Sequence, residues 1–256
     1  MRRRLAALRM MISSQSLTTD TAEKSVQPSL YNTPTARPRR LRLAIALLAI
    51  GTLAVASASA SESDVAAGRI IAAQSLIPGR AACAACHMEN GAGQPDVGIP
   101  RLAGLDARQI EEQLTYFAKG ERRSAAMAPY AATLSEAQRR QVAAYFASQP
   151  ISAEPGRLAA TPQQVARGRA LYADGDQHTE MQACVQCHGV TGLGVGQFSP
   201  RLAGQSAAYV ADQLARWRTG DVRDPKGGFM RAEARTLSDT DIAAVAAYVA
   251  HLGQEP

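Results

Sequence analysis

Aromatic side chains are scarce in this chain: they make up 5 % of 256 residues, with a single tryptophan. Domains of about a hundred residues that bury cores with so few rings need apolar bulk from another source. Positive charge is also missing where the net figure suggests it. The formal charge is +6, yet residues 1–60 hold nine Lys+Arg against two Asp+Glu, and residues 61–256 hold nineteen against twenty. A nucleic-acid-binding face therefore has no support outside the leader. Residues 61–150 balance nine against nine, so no charged partner-docking patch is legible. Long apolar runs are absent too. Leu43 to Ala56 is fourteen residues of mostly small side chains, short of the roughly twenty that a bilayer span needs.

That run follows Arg37, Arg39, Arg40 and Arg42 and leads into Ala56-Ser57-Ala58-Ser59-Ala60. This is the layout of a secretory signal, with cleavage expected after Ala58 or Ala60. An uncleaved leader would instead associate the protein with the membrane. The stretch before Arg37 is polar, without hydrophobic periodicity, and reads as an extended n-region of that signal or as a misplaced translation start.

Cysteine is limited to four residues, and all of them fall in two copies of one pattern: Cys83-Ala84-Ala85-Cys86-His87 and Cys184-Val185-Gln186-Cys187-His188. Two thiols three positions apart can each add to one vinyl group of a haem, and the adjacent imidazole then lies under the iron. The pattern thus predicts two covalent haem c groups on Cys83, Cys86, Cys184 and Cys187, with His87 and His188 as proximal ligands. Structural zinc wants a second ligand pair nearby, whereas these pairs stand about a hundred residues apart. A dithiol redox site does not call for the histidine that follows each pair. Covalent haem is attached outside the bacterial cytoplasm, which agrees with the leader and predicts a periplasmic protein.

The chain is duplicated. Gly68-Arg69 returns as Gly168-Arg169, Pro100-Arg101-Leu102-Ala103-Gly104 as Pro200-Arg201-Leu202-Ala203-Gly204, and Gly120 as Gly220. Met127, Leu134-Ser135 and Ala144-Tyr145 return as Met230, Leu237-Ser238 and Ala247-Tyr248, with the offset grown from 100 to 103. The organisation expected is a leader over 1–60, an N-terminal domain over 61–149, a Pro- and Gly-containing linker over 150–161, and a C-terminal domain over 162–256. Each half reads as helical. Ile110, Leu114 and Phe117 recur at i, i+4 and i+7, matched by Val210, Leu214 and Trp217, and both stretches stop at a glycine. The last helix of each half opens on Ser135-x-x-Gln138, a capping box, or Ser238-x-x-Asp241, a looser variant. Gly68 and Gly168 fall early in the first helix of each half, where a missing side chain would let a later helix cross closely.

Four methionines lie beyond the leader. Met88 and Met181 flank the cysteine pairs and cannot easily swing to the opposite haem face. Met127 and Met230 follow their histidines by forty and forty-two residues and are candidates for the sixth iron ligand; filling gaps in the core is the other use of methionines there. His178 and His251 read as surface groups. Arg101 and Arg201 suit either a haem propionate or solvent.

These residues together resemble the bacterial di-haem cytochromes c of the c-four class, built from two class I cytochrome c domains. The resemblance runs from about Ala66 to Leu252 and includes the Gln113-Leu114 and Gln213-Leu214 pairs. It implies an all-α fold of two tandem domains, each wrapped around one covalent haem. It also implies thioethers at the four cysteines, His87 with Met127 and His188 with Met230 as axial pairs, and carbonyls of Pro100 and Pro200 on the proximal imidazoles. The function implied is electron carriage without catalysis, from a quinol-oxidising respiratory complex towards a terminal oxidase or another periplasmic acceptor, by a monomer. The competing class is a cytochrome subunit of a periplasmic dehydrogenase, for sulfur compounds or alcohols, or a di-haem peroxidase-like enzyme. The halves differ over residues 88–99, and Gly120 to Met127 is three residues shorter than Gly220 to Met230. Two distinct haem potentials are expected from these departures.

Overall fold

The computed structural model describes residues 61–151, 160–196, 198–221 and 228–252. The expected leader and the middle of the expected linker, residues 152–159, lie outside them. Among the described residues there is no β-strand, only isolated antiparallel bridges at Gln94–Ile99, Asp176–Met181 and Val195–Ser199. None of the described helices is long and apolar enough to cross a membrane.

The first half is built from α1 (Glu62–Ala73), α2 (Cys83–His87), a 3₁₀ turn (Pro95–Val97), α3 (Ala107–Lys119), α4 (Met127–Thr133) and α5 (Glu136–Ala147). The second repeats the order as α6 (Pro162–Asp174), α7 (Val185–His188), α8 (Ala207–Arg218), α9 (Gly228–Arg235) and α10 (Asp239–His251). The termini form where the sequence supplies partners for orphan backbone groups. Asp106 caps α3, and Gly120 ends it with φ 73°, a conformation that costs glycine nothing. Ser135 and Gln138 form the expected capping box. Ser238 and Asp241 form a full box as well, correcting the looser reading, because the Asp241 carboxylate also reaches the Ser238 amide. A third box, Thr161 with Gln164, opens α6.

In each half the first and last helices cross, α1 on α5 and α6 on α10, and the third element packs on the last. The crossing depends on glycine. A Cβ on Gly68 would stand 2.0 Å from the Gln141 carbonyl oxygen, and one on Gly168 would stand 2.0 Å from that of Ala244. Backbone atoms cannot rotate aside, so the helices would have to separate. Overpacking costs about 1–3 kcal/mol even where side chains can yield. Gly168→Ala in the haem-loaded protein is therefore expected to lower the melting temperature by at least about 5 °C. An unchanged thermal scan would mean that α6 and α10 do not touch there.

The two cores are separate. One gathers Ile110, Leu114, Phe117, Val142 and Phe146. The other gathers Leu171, Tyr172, Val210, Leu214, Val245 and Val249. Met181 is buried in the second core, so it is a packing residue.

Candidate haem sites and the interface between them

Each Cys-x-x-Cys-His folds as a single helical turn, which puts the two cysteines on one face, three residues apart, and the histidine at its end. All four thiols are unpaired. Burial pushes the Cys83 thiol up and the Cys184 thiol up to about 11. A catalytic dithiol has the opposite character, a first cysteine held as thiolate.

His87 and His188 are buried. His87 Nδ1–H donates to the Pro100 carbonyl at 3.2 Å, and His188 Nδ1–H to that of Pro200 at 2.9 Å. Burial lowers both imidazole pKa values, with the carbonyl contacts acting in the other direction. The rings are thus neutral at pH 7, with a fixed tautomer that leaves Nε2 as the nitrogen for a metal. Met127 opens α4 and packs against the first core; Met230 lies in α9 and packs against the second. His178 is exposed, and His251 Nδ1–H donates to the Ala247 carbonyl within its own helix.

Arg101 is not the solvated charge that was one of its two readings. It is 4 % exposed and donates to the carbonyls of Ala103 at 2.9 Å and Ala203 at 2.6 Å, so it bridges the halves. Burial, reinforced by the like charge of Arg201, lowers its pKa to about 10. Neither arginine pairs with a carboxylate among the described residues. Arg101 Nε, Arg201 Nε and Trp217 Nε1 are buried donors without an acceptor among the described residues. The buried Arg101, the half-buried Arg201 and three donors without acceptors fit a cofactor that brings its own carboxylates, as haem does.

The two sites are not copies. After His87 the chain turns at Met88, with φ 63° and ψ 155°, a region costly for any residue but glycine. After His188 the same turn is made by Gly189. In the first half Tyr145, from α5, donates its hydroxyl to the Glu89 carbonyl at 2.7 Å; in the second Tyr172, from α6, donates to the Gly189 carbonyl at 2.7 Å. The loop under the proximal histidine is thus fastened from opposite ends of the domain. Phe146 lies 6.3 Å from the His87 ring, whereas Val249 holds the equivalent position in the second half.

Polar side chains that the sequence did not single out join the halves. Gln205 accepts from the Arg101 amide at 2.9 Å and donates to the Arg101 carbonyl at 3.0 Å, while the Ser206 hydroxyl donates to the Pro95 carbonyl at 3.0 Å. The signal for Gln205 was its departure from the repeat, where the first half has Leu105.

Known proteins match this chain over both halves. Residues 165–253 match the family model "Cytochrome c", and residues 79–146 match "Cytochrome C oxidase, cbb3-type, subunit III". Cytochrome c4 of Pseudomonas aeruginosa is 37 % identical over 66 % of this chain and 83 % of its own length. A thiosulfate dehydrogenase electron acceptor of Stutzerimonas stutzeri is 40 % identical over 70 % of this chain and 82 % of its own. Among solved structures, reduced recombinant cytochrome c4 of Pseudomonas stutzeri superposes with a TM-score of 0.62 at 31 % identity, covering 73 % of this chain and 97 % of that one. The thiosulfate dehydrogenase TsdBA of Marichromatium purpuratum superposes with a TM-score of 0.67 at 34 % identity. This chain covers 40 % of that longer chain and is itself covered over 73 % of its length. With two neutral, oriented imidazoles beside unpaired cysteine pairs, and with these relatives, the chain belongs to the cytochrome c4 family and is an electron carrier with two covalently bound haem c groups.

Proposed function

We propose that this protein is a periplasmic carrier that takes electrons from a sulfur-compound dehydrogenase and passes them towards a terminal oxidase. In this reading Cys83 and Cys86 hold one haem and Cys184 and Cys187 the other. His87 with Met127 would hold the iron of the first haem, and His188 with Met230 that of the second. Each haem, when bound, cycles between ferrous and ferric iron and so carries one electron.

The chain's own residues prepare that exchange. Pro100 and Pro200 orient the imidazoles, Arg101 and Arg201 offset negative charge at the haem edge, and the two cores exclude water. The thioethers of Met127 and Met230 would leave no open site for a substrate and so favour outer-sphere transfer over catalysis. The carrying observation is that each half holds one buried imidazole oriented by a proline carbonyl and one methionine packed against its core. The differing Met88 and Gly189 turns, the exchanged tyrosines and the lone Phe146 ring support two unequal haem potentials.

The donor assignment rests on the relatives named thiosulfate dehydrogenase electron acceptor. A quinol-oxidising complex, the donor that the c4 resemblance implies, is the second reading. The test mixes oxidised, haem-loaded protein with thiosulfate, with and without a purified thiosulfate dehydrogenase. Reduction of both haems is expected only when the dehydrogenase is present. No reduction, beside prompt reduction by a quinol-oxidising complex, would move the assignment to the second reading.

A further inference from the structure

Arg122 follows the glycine that ends α3, and its amide is fixed to the Tyr116 carbonyl at 3.0 Å. Its side chain leaves the first half. The guanidinium donates to Gln113 Oε1 at 2.5 Å within its own half, and to Tyr209 Oη at 2.9 Å and Gln213 Oε1 at 2.7 Å in the other. It also lies 4.6 Å above the Phe117 ring. The residue is 8 % exposed, and no carboxylate pairs with it among the described residues. Gln113 and Gln213 occupy the same position in the two copies, so the halves meet face to face and one cation joins the equivalent amides.

A buried arginine without a carboxylate is costly unless its donors are used. Here three neutral acceptors take the two terminal nitrogens, two of them from the opposite half, while Nε finds no acceptor among the described residues. Elsewhere the halves are joined by the Arg101 and Arg216 guanidiniums on the Ala203 and Arg123 carbonyls and by neutral hydrogen bonds at Gln205 and Ser206, whereas the Arg122 fork takes side chains from both halves at once. Electron exchange between two haems falls steeply with their separation, so the contact that sets the spacing of the halves also sets that rate. We infer that Arg122 is a positioning residue that locks the two haem domains together and thereby governs electron exchange between the haems. This rests on the electron-carrier reading above.

The backbone offers a local reporter. The Arg101 amide is satisfied only across the interface, by Gln205 Oε1 at 2.9 Å, so its hydrogen exchange reads undocking of the halves. In the reduced, haem-loaded protein, Arg122→Leu is expected to speed exchange at that amide at least about tenfold, and Tyr209→Phe about threefold. Arg122→Lys keeps the charge but not the fork and should fall between wild type and the leucine variant. Electron exchange between the haems after rapid partial reduction should slow in the same order. Unchanged Arg101 exchange and an unchanged inter-haem rate in Arg122→Leu would overturn the inference. If that variant does not accumulate with two haems, the Tyr209→Phe measurement decides, and wild-type values there overturn it. The visible spectrum with carbon monoxide keeps the two claims apart: binding by the wild type would refute the axial-ligand reading, whatever the interface does.

Discussion

If the proposed thioether ligands are right, Met127→Ala is expected to remove about half of the thioether-to-iron absorption near the red edge of the visible spectrum, and Met230→Ala the other half. The altered haem in each variant becomes open to carbon monoxide and its potential falls, because the thioether favours ferrous iron more than the water or hydroxide that replaces it. The effect stays within one half. Met127 packs on the core formed by Ile110, Leu114 and Phe117, and Met230 on the core formed by Val210, Leu214 and Val245, with no residue shared. Core filling alone predicts something else: a truncated methionine would cost about 2–5 kcal/mol of stability and leave the spectrum untouched. Visible spectra and separate redox titrations of the two variants decide between ligand and packing residue. Spectra identical to the wild type would remove both methionines from the iron.

The second large effect concerns folding. A Cys184→Ala/Cys187→Ala variant is expected to lose the cooperative unfolding of its second half while the first half still melts sharply with its haem in place. The reason lies in what the second core contains. It is built largely from alanine and β-branched residues, with Tyr172 the one aromatic ring fully buried in it. The half-buried Arg201 and Trp217 add Nε and Nε1 donors that find no acceptor among the described residues, each costing about 1–3 kcal/mol while unmet. Binding to the native state alone then supplies stability by mass action, and covalent attachment makes the effect permanent. Thermal scans followed by far-UV circular dichroism should show roughly half of the helical signal lost without a sharp transition. Two sharp transitions in the variant would show that the second half folds without its haem.

The repeat and its chemistry were legible because they are local. The cysteine pairs and histidine fall within five residues, Gly68 and Gly168 stand out as the shared small residue of each first helix, and the capping boxes span four residues. The Pro100 and Pro200 carbonyls followed from family resemblance and lie where it implied. Contacts between the halves were not legible, since they join residues about ninety to a hundred apart: Arg122 with Gln213, Arg101 with Gln205. Their partners are fixed by how two finished domains meet, and neither copy of the repeat contains that information. The exchange of Tyr145 for Tyr172 was hidden for a related reason. Ala72 stands opposite Tyr172 in the repeat, while Tyr145 and Tyr248 hold the same position, and only packing reveals which tyrosine reaches the loop after the histidine in each half. Arg101 was readable as a propionate partner but not as an interface residue, because its reach to Ala203 needs the other half.

The account turns on two covalent haems, each closed on both faces by the chain. The most direct measurement is the denatured haem content per chain of protein matured in a periplasm, with the visible spectrum of its reduced form recorded before and after carbon monoxide. Two haems per chain and an unchanged spectrum are predicted. One haem per chain, or ready binding of carbon monoxide at either iron, would contradict the account and point to an open catalytic site.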